Sequence, residues 1–340
     1  MTEQCSSAAH AGTGAQPEER ARPSGLIDFH HHIRPPGAPE PIMQLMAGWS
    51  PEGAVAEMDE AGVRAGMAFP TPNLGPDTKT RPTLARRWND YGAALGARFP
   101  GRFGLFASLP LPDIDASLAE IDHATQSLHA DGFGIATSYD DIWLGDEQLW
   151  PVYEALNALD AIVFVHPKDA PCCAPDKLSY HRDGMDGSWL EWPMNTARTI
   201  FSLLASGTLR RFPRIRFIFS HAGGVMPLLV SRIEGFSGWP HVGEAGLTRL
   251  FPNGLRPELG RLYFECAQAY STTNIAAIRS IVPDSQLLFG SDYPIFPLAH
   301  ATIQLADLKL PTLLESRIAY GNAARLLSRN YAQEGAIRKS

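Results

Sequence analysis

A chain of 340 residues with a formal charge of −7 is too acidic to have nucleic acid or an anionic membrane as its main partner, because both call for a basic surface. Its apolar share of 44% with 19% charged residues fits a large buried core, built as one α/β barrel or as about two domains. Four cysteines, two of them adjacent (Cys172 and Cys173), do not make a disulfide scaffold, so a reducing, cytoplasmic setting is expected.

Residues 1–24 are rich in Ala, Ser, Gly, Glu and Pro and carry no apolar run. They are expected to form a disordered tail, too polar for a signal peptide. No later segment has the ~18 uncharged apolar residues needed to cross a bilayer. From Gly25 onward, eight short apolar runs follow one another: LIDFH, RAGMAFP, RFGLFASLP, GFGIAT, AIVFVH, IRFIFSH, RLYFECA and SQLLFGSD. Each is brief, rich in Phe, Ile and Val, and bounded by Gly, Pro or polar residues, as buried strands are. Helical spacing of apolar residues lies between them. A helix is expected near Pro51, and others over Pro82–Phe99 (Leu84, Trp88, Tyr91, Leu95), Ile114–Leu128 (Leu118, Ile121, Leu128) and Asn195–Ser206 (Ile200, Leu203, Leu204). A C-terminal helix is expected over Glu315–Arg329 through Ile318, Ala323, Leu326 and Leu327. Eight such units over residues 25–340 predict a closed (β/α)8 barrel. An open doubly wound sheet is the rival, but the first strand ends in His30-His31-His32 and not in a Gly-rich phosphate loop.

Two segments, 70–82 and 167–193, are long and loop-like and follow the carboxyl ends of strands two and five. Barrel active sites are built at that end, so both read as an active-site cover. The second holds Trp189 and Trp192, aromatic residues that are costly to leave exposed.

His30 and His32 are two apart in a strand, so both imidazoles lie on one face and His31 on the other. Alone the pair is half a metal site or a chance polar pair. His166 ends the fifth strand, His221 the sixth and Asp292 the eighth. Five titratable groups at one barrel end point to a bound divalent metal. His30, His32, His166 and Asp292 give three imidazoles and a carboxylate, a set suited to Zn, or to Mn, Fe or Co. His221 is then free to act as a base or to orient a metal-bound water. The fourth strand has no lysine near its end to bridge a second metal, and Lys168 follows the fifth, so one metal is expected. His10, His123, His129, His181, His241 and His300 fall in the tail, on helices or in loops, and read as solvated or structurally satisfied.

The set Ile27–His32 with Pro35-Pro36, Phe164-Val165-His166-Pro167, Phe219–Gly224, Gly290–Pro294 and Tyr320–Leu327 resembles the amidohydrolase superfamily. More narrowly it resembles the aminocarboxymuconate-semialdehyde decarboxylase branch, which also holds decarboxylases of γ-resorcylate, 5-carboxyvanillate and 6-methylsalicylate. The resemblance covers about residues 25–330. It implies a mononuclear (β/α)8 enzyme that cleaves a C–C bond without redox chemistry or an organic cofactor. It also implies a homodimer in which Arg232, eleven residues after His221, enters the partner's site and grips the substrate carboxylate. The bottom-up alternative for Arg232 is a surface ion pair, for example with Glu234. The long insert that the aminocarboxymuconate enzymes carry after the first strand, with its second carboxylate-binding arginine, is missing here: only residues 33–50 separate strand from helix, and Arg34 is no equivalent. A small aromatic monocarboxylate is therefore favoured, and AGWSPEGAVAEMDEAGV looks closest to the 6-methylsalicylate type.

The resemblance implies a metal chelated by phenolate and carboxylate oxygens, with Asp292 delivering a proton to the ring carbon and His221 holding charge or shuttling the proton. In the aminocarboxymuconate variant His221 instead activates metal-bound water. Trp189, Trp192 and Phe296 are candidates for aromatic pocket walls, with core packing the plain alternative. A metal-dependent lactonase or amidase of the same superfamily is the alternative function. A non-enzymatic metal-binding barrel is a third reading.

Overall fold

The computed structural model describes residues 24–37, 44–71, 74–75, 77–174, 177, 186–327 and 331. The stretch read as a disordered tail lies outside them, apart from Ser24. All eight predicted strand segments are strands, and they form one parallel sheet in chain order. They are β1 (Leu26–His32), β2 (Val63–Phe69), β3 (Phe103–Ser108), β4 (Gly132–Ala136), β5 (Ile162–His166), β6 (Arg216–Phe219), β7 (Tyr263–Glu265) and β8 (Leu287–Leu288). The segment after β8 returns to β1. The amide of Phe29 donates to the Phe289 carbonyl at 3.0 Å, that of Asp292 to His30 at 2.9 Å, and that of His32 to Tyr293 at 2.7 Å. These bonds join the two ends of the sheet, so the expected (β/α)8 barrel forms and the open sheet is excluded.

A helix follows each strand: α1 (Pro51–Ala61), α2 (Arg81–Arg98), α3 (Ile114–Gln126), α4 (Trp150–Ala158), α5 (Glu191–Ala205), α6 (Met226–Glu234), α7 (Thr272–Arg279) and α8 (Leu298–Asp307). The local rules are visible in α1. Ser50 Oγ accepts from the Gly53 amide, Pro51 opens the first turn, and Gly62 at φ +73° ends it. α5 starts four residues before the expected Asn195. The C-terminal helix starts at Thr312, passes through a π-helical turn at Arg317–Gly321, and ends at Leu326.

Apolar residues pack on both sides of the sheet. Leu26, Val63, Leu105, Val163 and Phe217 face the helices. Ile27, Phe29, Met67, Phe69, Phe106, Ile162, Phe164 and Leu288 fill the barrel, joined from the C-terminal segment by Ala323, Leu326, Leu327 and Tyr331. Burying each large ring contributes roughly 1.5–3 kcal/mol. Among the described residues no helix is long and apolar enough to cross a membrane. Cys172, Cys173 and Cys266 are free thiols, and Cys5 lies outside the described residues.

One irregularity in β1 decides what faces the interior. Strict alternation would put Ile27 and Phe29 inside the barrel and His30 and His32 outside. Asp28 pairs with Gly66 and His31 with Ala68, three residues against two, so β1 carries a bulge. Phe29 and His30 therefore both face inward, while Asp28 and His31 share the outer side and hydrogen-bond to each other at 3.0 Å. Gly66 is the room for that outer imidazole, since a Cβ there would lie 2.6 Å from the His31 ring.

Candidate metal centre

The interior aromatic layer is the floor of a polar cluster. His30 packs edge-on against Phe164 with ring centroids 5.2 Å apart, and His32 lies 5.6 Å from Phe69. Above that floor His30, His32, His166 and Asp292 offer donor atoms that all lie within 4.8 Å of one another. His30 Nε2 is 3.1 Å from His32 Nε2 and 3.2 Å from Asp292 Oδ1, and His32 Nε2 is 3.3 Å from the same oxygen. Adjacent ligands about 2.1 Å from a shared ion stand about 3.0–3.4 Å apart, so the set fits one cation.

The outward nitrogens are fixed by what the other ring nitrogens touch. His166 Nδ1 lies 2.7 Å from the Pro167 carbonyl and His221 Nδ1 lies 3.0 Å from that of Ala267. A carbonyl only accepts, so both Nδ1 atoms carry the hydrogen and both Nε2 atoms keep a lone pair in the neutral ring. His30 Nδ1 donates to Glu265 Oε1 at 2.7 Å, a carboxylate–histidine pair of the kind that orients metal ligands. Glu265 also accepts from the His221 amide at 2.9 Å and the Ala267 amide at 2.6 Å. It thereby fixes His30 and His221 together. Gly290 makes room for it, since a Cβ there would overlap Glu265 Oε2.

The charges are strongly coupled. Burial alone would lower the pKa of His30, but the charges of Asp292 and Glu265, with the Glu265 hydrogen bond, raise it to about 9. Burial lowers His32, and burial with the neighbouring imidazoles lowers His166 well below its ordinary value, so both present neutral rings. Burial would raise Asp292 and Glu265; the charge of His30 and hydrogen bonds from His32 and His30 respectively outweigh it, and both carboxyls sit below their usual range. Two carboxylates and three inward imidazoles in one largely buried site match a divalent cation in charge as well as in geometry.

The backbone at this rim is unusual. His221, Ala222, Gln268 and Asp292 have φ of +54°, +53°, +56° and +63°, in the left-handed region. Each such non-glycine residue costs on the order of 1 kcal/mol, and such residues cluster at functional sites. Gly224 follows at φ +61°, where a Cβ would overlap the Pro193 carbonyl of α5.

The five predicted strand-end groups thus meet, with His221 beside the four-ligand set: its ring centroid is 5.0 Å from that of His30. Trp192, at the start of α5, is half-buried, lies edge-on to His166 at 5.9 Å, and donates from Nε1 to Asp169 at 2.7 Å. Phe296 is half-buried and stacks on His300 at 5.5 Å, while its amide donates to the Asp292 carbonyl. The expectation that Trp189 would not be left exposed is corrected. The residue is 68% exposed on a 3-10 turn at Gly187–Trp189, and no contact described here joins it to the cluster. Arg232 is exposed on α6, and its guanidinium lies 5.8 Å from the Phe236 ring. The ion pair weighed for it does not form, because Glu234 is taken by Arg256 at 2.7 and 2.8 Å.

Sequence reasoning did not single out Glu265 or Asp28. Glu265 had a signal: it is a carboxylate inside an apolar strand, two residues after Tyr263. Asp28 accepts from the His30 and Ser291 amides (3.0 and 2.9 Å), from Ser291 Oγ (2.5 Å) and from His31. It ties the metal-facing end of β1 to the Asp292 loop. Lys168, weighed in sequence only as a bridge to a second metal, lies two residues beyond His166. Burial, with the Arg81 charge behind it, lowers the pKa of Lys168.

A parallel eight-stranded barrel with three histidines and an aspartate converging at its carboxyl end defines an amidohydrolase-type barrel enzyme. The family model described as Amidohydrolase matches residues 27–329, and the chain belongs to that family. It is 31% identical over 292 residues to the decarboxylase yanB of Aspergillus niger, which covers 80% of this chain and 78% of that one. It is 28% identical over 327 residues to the 6-methylsalicylic acid decarboxylase of Penicillium expansum, covering 89% and 96%. A crystal structure of 5-carboxyvanillate decarboxylase from Novosphingobium aromaticivorans, complexed with manganese and 4-hydroxy-3-methoxy-5-nitrobenzoic acid, shares the fold with a TM-score of 0.76. Its identity is 17%, over 89% of this chain and 96% of that one. The chain is thus an enzyme of the carboxy-lyase class in the decarboxylase branch that its motifs resemble.

Proposed function

We propose that this chain is a metal-dependent, non-oxidative decarboxylase of a hydroxylated aromatic acid, with 6-methylsalicylate or a near relative as substrate. The observation that carries the reading is the four-donor set of His30, His32, His166 and Asp292 with His221 beside it and outside it. These four would hold one divalent ion. Zn, Mn, Fe and Co all suit the donors, and manganese is the ion of the related 5-carboxyvanillate enzyme. When bound, the ion supplies a Lewis acid for the phenolate and carboxylate oxygens of the substrate.

His221 and Asp292 handle the proton. The ring carbon that bears the carboxylate takes up a proton and the ring loses aromaticity. The C–C bond then breaks, its electron pair returns to the ring, and CO2 leaves. Asp292 is held ionised by its neighbours, so the proton has to be passed to it as the substrate binds. His221 would make that transfer: its Nδ1 is anchored on the Ala267 carbonyl, which leaves the lone pair on Nε2, and its ring centroid is 5.0 Å from that of His30. Trp192 and Phe296 supply apolar walls on two sides. We also propose a homodimer in which Arg232 reaches the partner's site, with the exposed Leu190, Met194 and Leu228 of the α5–α6 side covered in the interface.

The test is CO2 release from 6-methylsalicylate and other hydroxybenzoates by the metal-loaded enzyme. Turnover that disappears on chelation and returns with metal is expected. If no hydroxybenzoate loses CO2 while a lactone is opened, the hydrolase reading replaces this one. Light scattering that shows an active monomer would remove the intersubunit role of Arg232.

A further inference from the structure

Cys172 and Cys173 take no part in the metal centre. Adjacent side chains in an extended segment point to opposite faces, so neighbouring cysteines there keep their sulfurs apart. Here a 3-10 turn, Pro171–Cys173, follows β5 and brings both thiols to one side. Cys172 Sγ and Cys173 Sγ are 2.8 Å apart and hydrogen-bond to each other. Both are free thiols, Cys172 exposed and Cys173 half-buried. A disulfide needs about 2.05 Å between its sulfurs, so closing the bond moves them by less than about 1 Å. The turn is also attached to the wall of the site. The Cys173 amide donates to the carbonyl of Ala170, which is buried, at 3.0 Å. One residue earlier, Asp169 holds the Trp192 indole at 2.7 Å, and Trp192 lies edge-on to His166. On the other side, Lys177 Nζ donates to the Pro171 carbonyl.

A bridge between neighbours is strained. A trans peptide sets their Cα atoms about 3.8 Å apart, short of the roughly 4.4–6.8 Å that disulfides span. Strain makes the bond easier to reduce, which places it among labile, regulatory disulfides and not among structural ones. We propose that Cys172 and Cys173 are a redox-active pair that a hydroperoxide converts to a vicinal disulfide and a thiol reductant restores. Cys172, the more exposed, reacts first. Its thiolate takes an oxygen from the peroxide, the O–O bond breaks, and the remainder leaves as an alcohol or water after gaining a proton. The Cys173 sulfur then attacks the sulfenic sulfur: the S–S bond forms, the S–O bond breaks, and water leaves. Two thiols give up two electrons and two protons, and the peroxide takes up both. Closing the ring pulls on the turn that carries Asp169, so the oxidised enzyme holds Trp192, and with it the substrate, less firmly. This consequence rests on the decarboxylase reading; the bond itself does not.

The experiment treats zinc-loaded enzyme, whose metal does not itself react with peroxide, with hydrogen peroxide. The product is digested without reductant and mapped by mass. The peptide that holds both cysteines should lose two hydrogens, about 2 Da, and regain them with dithiothreitol. Cys172→Ser and Cys173→Ser should each lack that product, and both variants, untreated, should keep the wild-type KM and kcat. In oxidised wild type KM for 6-methylsalicylate should rise a few-fold with kcat unchanged, and dithiothreitol should reverse the rise. Peroxide-treated Cys172→Ser should show no such rise. A bridge from either cysteine to Cys5 or to a second chain overturns the proposal, and so does oxidation that runs on to a sulfinic acid without a bridge. A vicinal bridge with an unchanged KM overturns the link to the Trp192 wall. If wild type releases no CO2, the decarboxylase reading fails by itself, and the mass map still decides the pair.

Discussion

The two sides of the barrel mouth are built differently. On the β1, β7 and β8 side, His30, Glu265, Asp28 and Ser291 are fully buried, and each polar atom facing the centre is held by a neighbour. Asp28 alone accepts four hydrogen bonds, and Glu265 binds one imidazole and two amides. On the β5–α5 side, Trp192 is half-buried and its indole is held by one bond to Asp169, while Trp189 is mostly in solvent. The difference teaches that the donor set is pre-organised by buried carboxylates, whereas the walls that would meet the substrate hang on few contacts. Positioning a cation demands tenths of an ångström, and buried charge-assisted bonds provide it.

The comparison is broken most severely by removing the group that both inner networks share. His30 touches Glu265, His32 and Asp292, so His30→Ala should abolish both stoichiometric metal binding and CO2 release. Elemental analysis and a CO2 assay check this, and retention of one metal per chain with turnover would show that the centre lies elsewhere. The next effect comes from one step outward. Glu265→Gln keeps the shape but loses the charge that orients His30, and metal affinity should fall about 10–100-fold, read by competition with a chromophoric chelator. A change below about three-fold would mean that the outer carboxylate does not set the centre's geometry.

The rigid side was also the more legible in sequence, though not for the reason that parity suggests. The His30/His32 spacing correctly placed both rings on one face, but a strand without interruption would have turned that face outward, since Phe29 already points in. The bulge that rescues it is a three-dimensional fact of β1 against β2, and only the Gly66 that accommodates His31 hints at it in the sequence. His166, His221 and Asp292 were legible because each directly follows an apolar strand. Glu265 was hidden among apolar neighbours. Trp189 shows the opposite limit: an aromatic in a suggestive segment has its exposure set by tertiary packing, which no local pattern encodes.

A smaller effect sharpens the other side of the comparison. Trp192→Phe keeps an aromatic ring beside His166 but removes the bond to Asp169. If the wall hangs on that bond, stability should fall by about 0.5–1.5 kcal/mol in a denaturant titration. KM for 6-methylsalicylate should rise a few-fold, and metal affinity should stay the same. A loss of metal comparable to that of Glu265→Gln would show that the two sides are one cooperative unit.

The smallest effect is expected at Trp189. A large indole that leaves most of its surface in water contributes little burial, so Trp189→Ser should change stability by no more than about 0.5 kcal/mol. If the ring lies outside the pocket, as its exposure indicates, kcat/KM for 6-methylsalicylate should change less than two-fold while the Trp192→Phe effect persists in the double variant. A larger loss, shared by both residues and less than additive, would mean that the turn at Gly187–Trp189 folds over the substrate and that the two tryptophans act as one wall. The double-variant cycle separates these outcomes, because an exposed bystander and a closing lid predict opposite couplings between the same two rings.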